Sequence, residues 1–282
     1  MLPAGSLLSS APLGPSRPLA RALAVTDAFR TLDTPLFDVR VVPEPTAAVR
    51  AVADDVARVL SVKHRREEGV LLGLATGATM VPLYDELARR HAAGELSFGR
   101  VRAALLDEYR GLEAGHPERF ARWIERALIA RVDLPPEQVE LPPADAPGPE
   151  LEAACAAFDR RLRALGGVDL QLLGLGRNGH VAFNEPGSPS DSRTRLVRLS
   201  PTTREANARA FGTIDAMPTA AVTQGLATIR EARSLRLLVF GAGKREALAR
   251  LVAVTDFDPD LPVSALAGHH DLVVWCDEEA AG

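Results

Sequence analysis

Short apolar runs alternate along most of this chain with longer segments whose apolar residues recur at helical spacing. This alternation is typical of α/β folds, in which helices link parallel strands. Several runs are apolar almost throughout, as strands are when both faces of a sheet are covered. The sequence therefore predicts an α/β fold: an open, mostly parallel, Rossmann-like sheet with helices on both faces, in a single domain.

The predicted elements are distributed over most of the chain. Strands are expected at residues 37–42, 70–74, 101–106, 170–175, 235–240 and 272–275. Helices are expected at residues 46–65, 80–92, 118–132, 150–165 and 244–254. The proline-rich segment 135–149 is predicted to be a surface connection, because repeated prolines fit neither a helix interior nor a central strand.

The amino-terminal region has a different composition. Residues 1–30 are rich in Pro, Ser, Ala and Leu, and they are predicted to be a flexible extension of a domain at residues 31–282. A transit-like leader is the alternative. Interruptions at Pro3, Pro12, Pro15 and Pro18 and the lack of a basic start argue against a signal peptide.

Composition excludes several classes of partner. The net charge of -4 and the sequence pI of 5.9 argue against nucleic acid, which usually needs a basic face. No apolar run approaches the roughly 20 residues that span a bilayer, so no membrane partner is expected. The two cysteines, Cys155 and Cys276, suit a reducing cytoplasm and are predicted to be buried thiols. No Cys/His cluster has metal-ligand spacing, so no metal is predicted.

The segment that follows the predicted strand 170–175 carries the strongest signal for chemistry. Its sequence is GRNGHVAFNEP, with glycines that allow tight turns and close approach to a ligand. His180 can move protons near neutral pH, and Glu185 can set its tautomer and raise its basicity. The alternative is a structural loop histidine beside a helix-capping glutamate.

Adjacent acids follow another predicted strand. Asp107 and Glu108 come directly after the run 101–106. Burial at a strand end raises the pKa of a carboxylate and suits it to abstract a proton from carbon. The alternative is a salt-bridged or capping pair.

Two further strand ends are suited to bind an anion. Thr76, Gly77, Ala78 and Thr79 form a loop of small residues that enters a helix, where free N–H groups and the helix dipole attract negative charge. An ordinary helix cap by Thr76 or Thr79 is the alternative. Lys244 opens a helix after a Gly-x-Gly turn, and a basic run includes Arg193, Arg195, Arg204 and Arg209.

The four strand ends together fit proton transfer on a phosphorylated sugar, and their sequences closely resemble the glucosamine-6-phosphate deaminase (isomerase) family. The stretches that carry the likeness are ATGAT (75–79), LDEY (106–109), GRNGHVAFNEP (176–186), SRTR (192–195) and GAGK (241–244). The ordered set is specific, although each short motif alone is not. The likeness runs from about Phe37 to Glu278, so residues 31–282 are expected to form the sugar-phosphate deaminase/isomerase domain.

The resemblance implies conversion of glucosamine 6-phosphate and water to fructose 6-phosphate and ammonia, with no cofactor. It implies that Asp107 takes the C2 proton and returns one to C1. His180 would help to open the pyranose ring, and Glu185 would orient and charge His180. The loop Thr76, Gly77, Ala78 and Thr79, together with Arg209 and Lys244, would hold the phosphate.

The chain departs from the family pattern at several positions. Asn178 replaces an aspartate of some members and cannot share charge with His180, so the ring-opening relay is expected to rest on Glu185. Ala78 and Met80 differ from the usual phosphate loop. Val197 replaces the cation of allosterically regulated members, which argues against activation by an N-acetylated sugar phosphate.

The expected partner is a small phosphorylated amino sugar, bound by a cytoplasmic monomer or homo-oligomer. Three alternatives stay open. The sugar could be another amino sugar phosphate, such as galactosamine 6-phosphate. A 6-phosphogluconolactonase would share the fold but not the Asp-Glu-Tyr and AFNEP stretches. A non-catalytic sugar-phosphate sensor ranks below the enzymes, because Asp107 and His180 are both present.

Overall fold

The computed structural model describes residues 29–282. The predicted extension at residues 1–30 lies outside the described residues except for Phe29 and Arg30. The strands are β1 Arg30–Leu32, β2 Asp38–Val42, β3 Val70–Leu74, β4 Val101–Leu105, β5 Asp107–Tyr109, β6 Val139–Glu140, β7 Leu170–Gly174, β8 Arg195–Arg198, β9 Ala220–Thr223, β10 Leu235–Val239 and β11 Leu272–Asp277. The helices are α1 Pro45–Arg65, α2 Val81–Ala92, α3 Phe120–Ala127, α4 Leu151–Ala164, α5 Pro201–Phe211, α6 Leu226–Arg230, α7 Arg245–Val252 and α8 Glu278–Ala281.

The main sheet has eight strands in the order β1-β2-β11-β10-β7-β3-β4-β6. β1 and β2 are antiparallel, and all other neighbouring pairs are parallel. After β3 the chain proceeds outward through β4 and β6, then returns to β7 and proceeds the other way through β10 and β11. The direction therefore reverses between β3 and β7, and ligands bind at such a point, beyond the carboxyl ends of the strands.

The core lies on both sides of this sheet. β3, β10 and β11 are buried at every position. Because successive side chains of a strand point to opposite faces, both faces must be covered. This confirms the predicted single-domain α/β fold and the predicted strand at residues 70–74, and the other predicted strands agree within two residues.

Helix α1 shows how the sequence pattern produces the packing. Pro45 stands in its first turn, where the missing N–H costs nothing. Ala48, Val52, Val56 and Leu60 recur every four residues, so they share one face, and all are buried. This apolar face packs toward the sheet through contacts with β2, β3 and β11.

A second, three-stranded sheet was not predicted. Its order is β5-β9-β8, and both pairs are antiparallel. β5 begins two residues after β4 ends, so the chain passes directly from the large sheet into the small one. Tyr109, Phe183, Leu199, Met217 and Ala221 form a small separate core beside it.

The bounds predicted for the third helix, residues 118–132, are wrong. Helix α3 spans Phe120–Ala127, and a single 3-10 turn follows at Ile129–Arg131. The carboxylate of Glu108 accepts hydrogen bonds from the amides of Phe120 and Ala121, so the helix begins at this buried acceptor. Leu128 has a φ of -136°, which ends the helix.

The proline-rich segment is irregular, as predicted, apart from short elements. It contains the two-residue strand β6 at the edge of the sheet and a 3-10 turn at Pro136–Gln138. Within residues 29–282, no helix combines the length and the apolar character that crossing a membrane requires.

Candidate active site

Two turns of similar conformation follow β3 and β10, the two strands that flank β7. Gly77 and Gly241 begin these turns with φ values of 103° and 84°, which favour glycine. In each turn the amide three residues later, of Met80 or Lys244, donates to the glycine carbonyl at 3.0 Å. The amides in between have no partner inside the turn, so both turns can offer N–H groups to an anion.

The hydroxyls of the first turn do not cap its helix. Neither the 3-10 turn at Ala78–Met80 nor α2 has a side-chain cap. The interpretation of Thr76 or Thr79 as an ordinary helix cap is therefore wrong. Both threonines are half-buried, beside exposed Gly77 and Ala78.

Asp107 is buried at the carboxyl edge of the sheet. The residue lies two positions beyond the end of β4, and it is only 7% exposed. No described residue donates a hydrogen bond to its carboxyl group. Burial, with a smaller contribution from the charge of Glu108, raises the pKa of Asp107 to about 8.

The carboxylate of Glu108, unlike that of Asp107, is held by several hydrogen bonds and has a structural role. It is fully buried, and it accepts hydrogen bonds from the amides of Tyr109, Phe120 and Ala121 at 2.8–3.0 Å. The guanidinium of Arg119 lies 3.7 Å away. The capping interpretation therefore holds for Glu108 but not for its neighbour Asp107.

The loop after β7 holds His180 against its own backbone. A Cβ at Gly176 would overlap the imidazole of His180, so only glycine allows this approach. The Gly176 amide donates to the His180 carbonyl at 2.8 Å, which closes the loop. Gly179 has a φ of 82°, as the reversal between these two positions requires.

His180, Asn178 and Glu185 form a hydrogen-bonded chain. The Nδ1 atom of His180 lies 2.6 Å from Oδ1 of Asn178, and Nδ2 of Asn178 donates to Glu185 at 2.9 Å. A carboxylate only accepts, so the NH2 group of the amide must face Glu185 and its oxygen must face His180. Nδ1 of neutral His180 therefore carries the proton, and Nε2 has the free lone pair.

The sequence predicted Glu185 as the residue that orients His180, but the amide of Asn178 lies between them. The other oxygen of Glu185 accepts from the hydroxyls of Ser200, at 3.2 Å, and Thr203. Sequence reasoning missed both residues. Ser200 also caps α5, and a serine directly before Pro201 is the signal that could have identified it.

Opposing effects set the pKa of His180. Burial is the largest and lowers it, the charge of Glu185 raises it, and the charge of Lys244 lowers it. The net direction is downward, so the neutral imidazole is the dominant form at neutral pH. Lys244 belongs to the second glycine turn, which is close to the β7 loop, because the Arg177 side chain of that loop lies against Gly243.

Lys244 is half-buried and has no anionic partner among residues 29–282. Burial, and secondly the charge of Arg177, lower its pKa. Arg209 lies exposed on α5, where no described contact joins it to Lys244 or to the first glycine turn. The structure thus places the turn of Lys244 beside the loop of His180, and it shows no contact of Arg209 with the described residues of either glycine turn.

The other arginines of the basic run are paired in different ways. Arg193 pairs with Glu231, and Arg204 donates to the carbonyl of Ile214 at 2.6 Å. Arg195 donates to Asn184 at 2.9 Å and to Ser188 at 3.1 Å, and burial lowers its pKa.

Asn184 is a further buried residue of this region that sequence reasoning did not single out. It donates to the carbonyls of Val181 and Gln224 and accepts from Arg195. These bonds tie the β7 loop to the three-stranded sheet, where Thr223 stands opposite Asp107. Asp107 and the β7 loop are thereby held in one rigid unit.

The described part of the chain holds no group of three or more His, Cys, Asp or Glu residues arranged to bind a metal ion. The arrangement therefore consists of a buried carboxyl, a supported imidazole, two anion-binding turns and a lysine. Such a set can move protons on a small anionic substrate.

Comparison with known proteins gives consistent results. Residues 43–275 match a family described as glucosamine-6-phosphate isomerases/6-phosphogluconolactonase. A glucosamine-6-phosphate deaminase of Beutenbergia cavernae is 47% identical over 248 residues, which are 87% of this chain and 92% of the relative. One of Mycolicibacterium smegmatis is 44% identical over the same shares.

Solved structures show the same likeness. A monomeric glucosamine-6-phosphate deaminase has a TM-score of 0.81 at 37% identity, covering 86% of this chain and 98% of that one. The 6-phosphogluconolactonase of Thermotoga maritima has a TM-score of 0.66 at 21% identity, covering 85% and 99%. The second likeness is one of fold alone.

Proposed function

This chain belongs to the family of glucosamine-6-phosphate isomerases and 6-phosphogluconolactonases, and from that premise we propose that it is a glucosamine-6-phosphate deaminase. The reaction converts glucosamine 6-phosphate and water to fructose 6-phosphate and ammonia. The observation that carries this proposal is the environment of Asp107, a buried carboxyl beside the loop of His180 to which no residue among 29–282 donates a hydrogen bond.

Ring opening comes first, and His180 performs it. One proton must leave the C1 hydroxyl and one must reach the ring oxygen. The free Nε2 lone pair of neutral His180 accepts the first proton, and the resulting imidazolium donates to the ring oxygen. Asn178 holds Nδ1–H in place, and the negative charge of Glu185 stabilises the imidazolium.

Asp107 then transfers a proton between adjacent carbons. Its ionised carboxylate removes the proton from C2 of the open chain, and a proton passes from the substrate ammonium to the C1 oxygen, which leaves an enolamine. Return of the proton from Asp107 to C1 gives an iminium ion at C2, and water hydrolyses it to the ketone and ammonium, the protonated form of ammonia. The raised pKa makes Asp107 a stronger base than an exposed carboxylate, which suits it to a carbon acid.

The phosphate is bound away from the reacting carbons. Thr76 and the turn Gly77, Ala78 and Thr79 supply N–H and hydroxyl donors on one side, and Lys244 supplies charge on the other. Arg209 of α5 has no described contact with either turn, and its assignment to the phosphate rests on the family resemblance. Binding energy from this remote group holds C2 against Asp107.

Ammonia release by the purified protein tests the proposal. Glucosamine 6-phosphate, galactosamine 6-phosphate and 6-phosphogluconolactone serve as parallel substrates, with Asp107→Asn as the matched variant. Ammonia from the first sugar, lost in the variant, supports the proposal. Ammonia only from galactosamine 6-phosphate would change the sugar, and lactone hydrolysis without ammonia would make the protein a lactonase. Binding without any turnover would favour a sensor.

Cys155 and Cys276 are buried and free, which supports a cytoplasmic location. The activity is assigned to residues 31–282, acting as a monomer or a homo-oligomer.

A further inference from the structure

Arg177 occupies the tip of the β7 loop, between Gly176 and the Asn178 that holds His180. Its side chain is exposed, in contrast to the buried glycine before it. The loop therefore carries a full positive charge three residues from the imidazole, at the carboxyl edge of the sheet.

The guanidinium of Arg177 lies against the second glycine turn. A Cβ at Gly243 would be 3.5 Å from its Nε atom and 3.9 Å from its Cζ atom. The next residue is Lys244, whose pKa the charge of Arg177 lowers. Two cations from neighbouring loops are thus held side by side.

Neither cation is neutralised within the part of the chain that the structure describes. Arg177 makes no hydrogen bond or ion pair there. It lines a cleft of about 430 Å³ together with Glu246, Arg250 and Asp260. Arg250 is paired with Asp258 at 2.9 Å, and neither Glu246 nor Asp260 forms an ion pair with Arg177.

Adjacent cations without counterions repel each other, and an anion bound between them removes that cost. A guanidinium offers a planar fork that matches two phosphate oxygens, whereas an ammonium supplies a compact point charge. The free N–H groups of the glycine turn lie at the same place and add donors.

We propose that Arg177 is a second cationic ligand of the substrate phosphate, acting together with Lys244 across the gap between the β7 loop and the second glycine turn. This rests on the proposed function for the identity of the phosphorylated sugar, but not for the binding of phosphate itself.

The affinity for inorganic phosphate and for fructose 6-phosphate, measured by calorimetry, tests the proposal without catalysis. Arg177→Gln should weaken both by about tenfold or more, since each lost charge-assisted contact costs at least that factor. The affinity of Arg177→Lys should lie between those of Arg177→Gln and the wild type, because lysine keeps the charge but loses the planar fork of the guanidinium. Arg100→Gln is the matched control, because Arg100 is exposed at the opposite edge of the sheet.

Kinetics separate binding from a structural effect. Arg177→Gln should raise the KM for glucosamine 6-phosphate more than it lowers kcat, and its Tm should equal that of the wild type. An affinity for phosphate equal to that of Arg100→Gln would overturn the proposal. The proposal would also be overturned if Arg177→Lys and Arg177→Gln both lost affinity and both had a lowered Tm, because the loss would then follow from a destabilised fold. If the wild type released no ammonia, the proposed function would fail, while the phosphate measurement would still decide the role of Arg177.

Discussion

His180 and Glu185 do not touch, because the side-chain amide of Asn178 accepts from one at 2.6 Å and donates to the other at 2.9 Å. A neutral group therefore occupies the position beside the imidazole. The charge of Glu185 acts on His180 only across this amide, and burial outweighs it, so the pKa of His180 is lowered.

Asn178→Asp should raise the pKa of His180 by about one unit or more, because a carboxylate beside Nδ1 stabilises the imidazolium. The shift can be measured by following the ring protons of His180 in an NMR titration, with His180→Gln to assign the signal. An unchanged titration would mean that the contact between residues 178 and 180 does not control the charge of the imidazole.

The activity should depend on the ionisation of Asp107. Its pKa is raised to about 8, so only a minor fraction is ionised at pH 7. We expect kcat/KM for glucosamine 6-phosphate to rise from pH 6, to reach half its maximum near pH 8 and to level off about one unit higher. A profile that is flat over this range would argue against Asp107 as the base.

Asp107→Asn should abolish isomerisation, with a loss of about 100-fold or more, and should stabilise the fold. Because the pKa of Asp107 is raised on folding, the wild type loses stability as the pH rises from about 4 to about 8. Asp107→Asn lacks this loss, so its free energy of unfolding should exceed that of the wild type by about 1–3 kcal/mol at pH 8 and by little at pH 4. Urea unfolding at both pH values measures the difference.

Glu108→Gln is the matched comparison, since it makes the same chemical change at the neighbouring residue. Glu108 accepts three amides and lies beside Arg119, so its loss should destabilise the fold by about 2–4 kcal/mol. If Asp107→Asn and Glu108→Gln changed stability and activity equally, the two acids would not have separate catalytic and structural roles.

Gly176→Ala should displace the imidazole of His180 and lower kcat by about 100-fold, because small misplacements of a catalytic group are costly. Gly174→Ala is the control, as its Cβ would meet only Met80 Cε at 3.8 Å. The affinity for phosphate should be retained in both. Normal turnover by Gly176→Ala would mean that the loop can relax.

The parallel sheet could be predicted from the sequence because its strands are buried on both faces and are therefore almost wholly apolar. The small sheet could not, since β5 reads Asp-Glu-Tyr and β8 reads Arg-Leu-Val-Arg, without an apolar run. Short strands of this kind are defined by their partners and not by their composition.

The candidate site was predictable as a set of strand ends, but its internal contacts were not. Asp107 and Glu108 are adjacent and chemically alike, and only the start of α3 at Phe120 makes one of them a cap. In the same way, the place of Ser200 beside Glu185 depends on how α5 packs, which no local pattern encodes.

The two glycine turns are separated by one intervening strand, β7, so the sheet itself sets the width of the gap between them. Two strand spacings amount to roughly 10 Å. Hydrogen bonding along the whole ladder maintains this distance, and no loop has to adjust to it. The sheet therefore fixes the distance between the two turns, and an anion that bridges them must have a matching size as well as a negative charge.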